Sequence, residues 1–353
     1  MAFSRVYQLM AEAEQDSLFT AASLLVARGE EILFRGSYGT LGGSATARVD
    51  ERTLFDLASL TKVLATTPAW MKLTEHDPDI LDRPLSRWFP ETPRNKAAIT
   101  PRWLLAHCSG LPAWRPYYLY SCPENRQRKE FTRDKILEEP LQYDPGEDTI
   151  YSDLGFMLLA FIIQEQTGEA WEAYATRKIF EPLGVHEDLM FLPRGEEART
   201  ALTRKGEPPG LVNDLNARAL GGAAGHAGAF GTASAVAAVA SQILLSLKTD
   251  AGFFDRGITN LFCTRVTAGA ESTRALGFDT PEAEGSSSGR FFSSRSVGHT
   301  GFTGTSLWID LETDVIVVLL TNRVFMGESD FRIKSFRPIL HDALREAFRT
   351  QFT

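Results

Sequence analysis

The sequence predicts an α/β protein: an antiparallel sheet flanked by helices, with a mostly helical region inserted in mid-chain. Three observations lead there. Strand-like runs stand near both ends, "LFTAASLLVAR" and "EEILFRGSYG" at one, "GTSLWIDLE" and "DVIVVLLTNR" at the other. Segments with apolar residues at three- and four-residue steps fill the middle. A length of 353 residues suffices to bury a large core. Strands contributed by both termini fit a single layer with the helical region between them.

Taken in order, Val6, Leu9, Met10 and Ala13 give residues 3–15 the spacing of an amphipathic helix. Two strands follow around a turn at Arg28-Gly29, and the polar, glycine-rich "GTLGGSATARVDERT" reads as a loop. From Ser59 onward, Leu60, Val63, Leu64, Thr67 and Met71 keep helical spacing, with Pro68 expected to kink or break the helix. "LGFMLLAFIIQEQTG" is too continuously apolar for a surface helix, so it is a core helix stopped at Gly168. "EAWEAYATRKIFEPLG" is a second helix, ended by Pro182 and Gly184. "TASAVAAVASQILLSL" is a third, capped by Thr232 or Ser234. A hairpin around Glu312–Asp314 and a last helix, "FRPILHDALREAFRT", close the chain. The expected layout is therefore 1–58 with 228–353 as sheet-and-helix part, and 59–227 as the mostly helical part.

Composition narrows the function classes. The chain is 43% hydrophobic and 23% charged, ordinary for a globular protein. A net charge of −8 argues against nucleic-acid binding and against docking on an anionic membrane surface. No apolar run is long enough for a signal core or a membrane span. Cys108, Cys122 and Cys263 form neither a disulfide framework nor a zinc pattern. A cytoplasmic protein without metal or cofactor is the expectation, with a small molecule or peptide as substrate.

Chemistry enters at "FDLASLTKV", residues 55–63. Ser59 and Lys62 lie three apart, so on a helix they share one face. The pair is a helix cap with a solvated lysine, or a nucleophile beside its base. "PGEDTIYSDLGFMLL" sets Tyr151 and Asp153 at the mouth of the core helix, where a phenol could enter a cleft or simply pack. "SVGHTGFTGTSLWID" leads His299, Thr300 and Gly301 into a core strand, and its glycines permit close backbone approach. A bulged edge strand is the plainer account of that stretch.

Together, in this order, Ser59-Leu-Thr-Lys62, Tyr151-Ser-Asp153 and His299-Thr300-Gly301 resemble the serine β-lactamase and penicillin-binding-protein superfamily. The resemblance is to the branch of class C β-lactamases, family VIII carboxylesterases and D-amino-acid peptidases. It spans nearly the whole chain, through "LLAHCSGLP", "IFEPLGV" and "GGAAGHAGAFGTAS" as well. It implies one catalytic domain with the active-site cleft between the two parts. It implies Ser59 as nucleophile, and Lys62 and Tyr151 as a coupled pair supplying the base. Either must lose roughly three pKa units to act at pH 7, and each is expected to help the other down. The oxyanion hole implied is the backbone N–H of Ser59 and of Phe302.

Two departures bear on substrate. His299 replaces the common lysine of the third motif, and Asp153 replaces the common asparagine of the second. A mostly neutral imidazole weakens carboxylate recognition, and an ionised aspartate can only accept hydrogen bonds. Both count against an efficient β-lactamase and fit an esterase, or a peptidase acting on a substrate with a free amine near Asp153; the natural substrate expected is a small ester or a D-amino-acid or cell-wall-type peptide. Arg323, just past the last strand, is a candidate anion site or a solvated arginine. Trp114, in "LPAWRPYYLYSCPENR", is a candidate cleft wall. His107 and His226 are expected to be structural. The rival class is a slowly acylated or non-catalytic sensor on the same fold.

Overall fold

Strands from the two ends of the chain lie side by side in one sheet. The computed structural model describes residues 3–43, 45–267 and 272–351. Helix α1 (Ser4–Gln15) leads into β1 (Ala21–Arg28), β2 (Glu31–Gly42), β3 (Ala45–Arg48) and β4 (Phe55–Asp56). The middle of the chain carries α2 (Thr67–His76), α3 (Pro101–Leu105), α4 (Arg128–Glu138), α5 (Asp153–Thr167), α6 (Trp171–Ala175), β5 (Leu189–Phe191) and α7 (Leu215–Ala219). The chain returns through β6 (Ala229–Gly231), α8 (Ala233–Lys248) and α9 (Arg256–Cys263). It then forms β7 (Val297–Thr300), β8 (Ser306–Asp310), β9 (Val315–Thr321) and α10 (Ile333–Gln351).

The six-stranded sheet runs β3-β2-β1-β9-β8-β7, with every pairing antiparallel. Both faces are buried, which explains the unbroken apolar runs of β1 and β9. Leu25, Ile316, Val318 and Leu320 point into the core shared with the helical side. Leu24, Val26, Val317 and Leu319 point the other way, against α1 and α10. That alternation is the period-two geometry of a strand. A small sheet, β4-β6-β5, ties the turn before Ser59 to the middle of the chain.

Three expectations change. The segment read as a loop after Gly39 continues β2 and forms β3, with Thr40 opposite Arg48 and Gly42 opposite Ala45. This polar edge hairpin has no apolar run to betray it. The helix after Ser59 is not simply kinked at Pro68: Lys62–Thr66 is wound as a π-helix, and Pro68 then sits in the first turn of α2. The proline supplies no N–H, so the turn before it is free to widen. The 59–227 segment sets its helices between long irregular connections and adds β5 to the small sheet.

Candidate active site

Ser59 sits at the entry to the widened turn. Ala58 before it has φ of 47°, an uncommon left-handed conformation for a residue with a Cβ. Buried Asp56 fixes the bend: its Oδ1 accepts from Ala58 N at 2.9 Å and its Oδ2 from Asn213 N at 2.6 Å. Thr303 and Thr305 donate their hydroxyls to the carbonyls of Asp56 and Leu57, at 2.8 and 3.1 Å. The nucleophile's turn is thereby stitched to the loop after β7. Gly301 is required there, since a Cβ would lie 2.0 Å from Thr305 Oγ1 and 2.8 Å from Leu57 O.

The three motifs converge. Tyr151 Oη lies 2.9 Å from Ser59 Oγ, and Lys62 Nζ lies 3.1 Å from it. Lys62 is 0% exposed and is fully partnered: it also donates to Asp153 Oδ1 at 2.7 Å and to His226 O at 3.1 Å. The Tyr151 ring is 4.7 Å from that of His107 and 5.7 Å from that of His299. Among the described residues, no protein acceptor meets the Ser59 or Phe302 backbone N–H.

Protonation departs from expectation. Burial pulls the Lys62 amine down, but the Asp153 carboxylate and the Tyr151 phenol outweigh it, and Lys62 is held above its ordinary value. Burial pushes Tyr151 up; Lys62 pulls it back and Asp153 adds to the rise, leaving it raised. The pair therefore does not help itself down in the resting protein, because the aspartate in place of asparagine anchors the ammonium. Burial, then Lys62 and Arg274, hold His299 well below its usual range, so it is neutral at pH 7. Its Nδ1 lies 2.8 Å from Thr300 O, which can only accept, so Nδ1 carries the proton. Its Nε2 has no partner among the described residues.

His107 and His226 brace the site. Nδ1 of His107 accepts from Ser152 N at 3.0 Å, fixing the turn that carries Tyr151. His226 Nε2 lies 2.9 Å from Asp214 Oδ1, while its carbonyl holds Lys62. Burial pushes Asp214 up, but His226 and the Ala217 N–H bring it down to about 2.

A cleft of about 710 Å³ opens over Ser59, and Tyr151, Asp153, His299, Thr300, Gly301 and Phe302 line it. Trp114 lines it too, as expected, with Tyr118 beside it. Arg323 reaches the cleft but is buried, not solvated; its guanidinium stands over Phe302 at 4.7 Å and Phe331 at 5.5 Å. Sequence reasoning missed Arg274, which lines the cleft, pairs with Asp279 and stands 5.4 Å from the Tyr151 ring centroid. "STRALGFDTP" carries no motif, so nothing in it pointed to a site. Asp214 gave only a helix-cap signal before α7. Among the described residues no helix is long and apolar enough to cross a membrane.

Comparisons with known proteins bear on family and fold. The Beta-lactamase family matches residues 7–336. The N-acetylmuramyl-L-alanine amidase of Bacillus subtilis (strain 168) is 30% identical over 89% of this chain and 79% of its own. A relative from Escherichia coli (strain K12), provisionally named D-alanyl-D-alanine carboxypeptidase, is 29% identical over 86% of this chain and 79% of its own. The solved structure of EstCE1, described as a hydrolase with promiscuous acyltransferase activity, superposes with a TM-score of 0.77. It covers 98% of each chain at 21% identity, a likeness of fold.

Proposed function

The chain belongs to the β-lactamase family, and on that premise we propose that it is a serine hydrolase forming an acyl-enzyme on Ser59. The substrate is a small ester or a D-amino-acid or cell-wall-type peptide. One observation carries the reading: Ser59 Oγ is within hydrogen-bond reach of both Tyr151 Oη, at 2.9 Å, and Lys62 Nζ, at 3.1 Å, on the wall of an open cleft. The N-acetylmuramyl-L-alanine amidase name of one relative supports the peptide side of that class.

In acylation, the Ser59 hydroxyl gives its proton to the deprotonated member of the Lys62–Tyr151 pair as Oγ bonds to the substrate carbonyl carbon. The carbonyl oxygen becomes an oxyanion facing the N–H groups of Ser59 and Phe302. Collapse breaks the bond to the leaving group, which takes the proton back from the pair. Water then attacks the acyl-enzyme by the reverse route, releasing the acid and restoring Ser59.

Slow acylation is the second reading, and the upward shifts of Lys62 and Tyr151 favour it, since the basic form is scarce at neutral pH. Turnover of short-chain aryl esters separates the two. An enzyme releases many equivalents of product with a Ser59-dependent rate; a sensor releases one equivalent and stops.

A further inference from the structure

The segment just before β6 holds Lys62 from behind. Lys62 Nζ donates to His226 O at 3.1 Å. The widened turn is tied to the same segment on both sides of Lys62: Thr66 donates its hydroxyl to Gly225 O at 2.7 Å, and Ala229 N donates to Thr61 Oγ1 at 3.1 Å. Gly225 lets the segment press on α5, the helix that Asp153 begins; a Cβ there would lie 2.1 Å from Phe156 O. The His226 ring anchors the segment in turn. It is 1% exposed, and its Nε2 lies 2.9 Å from Asp214 Oδ1. Asp214 is itself fixed as the cap of α7, where Oδ1 accepts from Ala217 N at 2.7 Å. Asn213 N meanwhile donates to Asp56 Oδ2 at 2.6 Å. The bonds that shape the Ser59 turn therefore run on to the seat of Lys62.

Asp214 brings charge as well as shape. Burial pushes it up, yet His226, the Ala217 N–H and Lys62 bring it to about 2, so it is ionised at neutral pH. An ionised carboxylate only accepts, so Nε2 of His226 carries the proton of that bond. Attraction is mutual: the ammonium that lowers Asp214 is itself favoured by Asp214. Among the described residues no arginine or lysine pairs with Asp214; Arg218, on α7, is taken by Glu207, and Asp56 adds a like charge behind Asn213. The other groups around Lys62 are the Asp153 carboxylate and the Tyr151 phenol at the head of α5, and Arg274 beside Tyr151. His107 and His299 also face it, each held well below its usual range by burial first. Asp153 touches the ammonium, whereas Asp214 reaches it through one residue.

We propose that Asp214 and His226 are positioning residues for the Ser59 reaction: His226 sets where the Lys62 ammonium sits, and Asp214 sets how firmly that ammonium keeps its proton. This rests on the hydrolase reading and adds a second layer of control to the same site. The two roles are separable. Asp214→Asn keeps an oxygen for the His226 and Ala217 N–H groups but removes the charge. His226→Ala keeps the Asp214 charge and the backbone carbonyl that Lys62 uses, but leaves the segment without its anchor.

The test is turnover of 4-nitrophenyl butyrate against pH. In Asp214→Asn the alkaline climb of kcat should move to lower pH by roughly half a unit, with KM within about twofold of wild type. In His226→Ala the climb should stay near its wild-type position while kcat falls about tenfold and KM changes less than about threefold. Should His226→Ala fold poorly, Asp214→Ala takes its place; it frees the His226 ring and should show both the lower kcat and the shifted climb. A climb that does not move in Asp214→Asn, or a His226→Ala protein that melts earlier yet keeps its kcat, would reduce the two residues to a structural brace. Either result overturns the proposal and leaves the hydrolase reading standing. If wild type turns over no ester, the hydrolase reading fails, and carbon NMR of protein labelled at the lysine Cε judges the proposal. The Lys62 resonance, identified by its loss in Lys62→Arg, should titrate at lower pH in Asp214→Asn; an unchanged midpoint would remove the coupling.

Discussion

The two walls of the cleft treat charge in opposite ways. On one, Lys62 is enclosed by Ser59, Asp153 and a carbonyl, and Asp214 is hydrogen-bonded to His226, all at 2.7–3.1 Å. On the other, His299 is neutral, and Arg323 and Arg337 are buried with donors unused. Paired charges fix the reacting groups in place but tie up their protons. Buried cations outside an ion pair carry the cost of desolvation without that return.

The largest effect expected is on the reacting wall. Ser59→Ala should lower ester turnover by at least roughly 10³-fold, with the far-ultraviolet spectrum and melting temperature retained. Turnover that survives would place the chemistry elsewhere and dissolve the contrast.

Next comes Asp153, the charge that closes this wall. Lys62 and Tyr151 are both held above their ordinary values, so the basic form grows as pH rises and kcat/KM should climb on the alkaline side of neutrality. Asp153 contributes to both upward shifts, so Asp153→Asn should move that climb to lower pH by about one unit or more. A climb that stays in place would show that the carboxylate does not govern the pair. Asp153→Ala should also cost about 2–4 kcal/mol in a denaturant titration, because it leaves the buried Lys62 ammonium without its anion. The sign with pH follows from the raised value: the pair's contribution is complete at neutral pH and is lost only as pH rises through the folded-state value of Lys62.

A smaller effect is expected where the walls are sewn together. Thr303→Val and Thr305→Val each remove one hydroxyl bond to the turn before Ser59 and should cost about 1 kcal/mol each in stability. The two together should slow acylation more than substrate binding, seen as a fall in kcat with little change in KM. The smallest concerns His299. Held well below its ordinary value by burial, it should impose no inflection around neutrality, and wild type and His299→Gln should share the shape of their profiles near pH 7.

How much of this the sequence shows depends on whether a feature is local. Val6, Leu9 and Met10, the alternating faces of β1 and β9, and the stop at Gly168 follow from periodicity and backbone freedom within a few residues. Ser59, Lys62, Tyr151 and His299 were legible because their motifs are short and ordered along the chain. The hairpin of β2 and β3 was not, since its polar edge has no pattern, nor was the π-turn, which follows from how Lys62 and Thr66 are held by residues 225–226. Arg274, Arg323 and Arg337 acquire meaning only from neighbours distant in sequence. The proton balance is the plainest case: Asp153 reads as a poorer donor than asparagine, while in space it anchors an ammonium 91 residues away in sequence.

The central claim, covalent chemistry at Ser59, is tested most directly by intact-protein mass spectrometry after treatment with a fluorophosphonate, followed by peptide mapping. The account predicts one adduct per chain, on the peptide that contains Ser59, and none in Ser59→Ala. An unlabelled wild type under conditions of ester turnover, or a label on another residue that persists in Ser59→Ala, would contradict it.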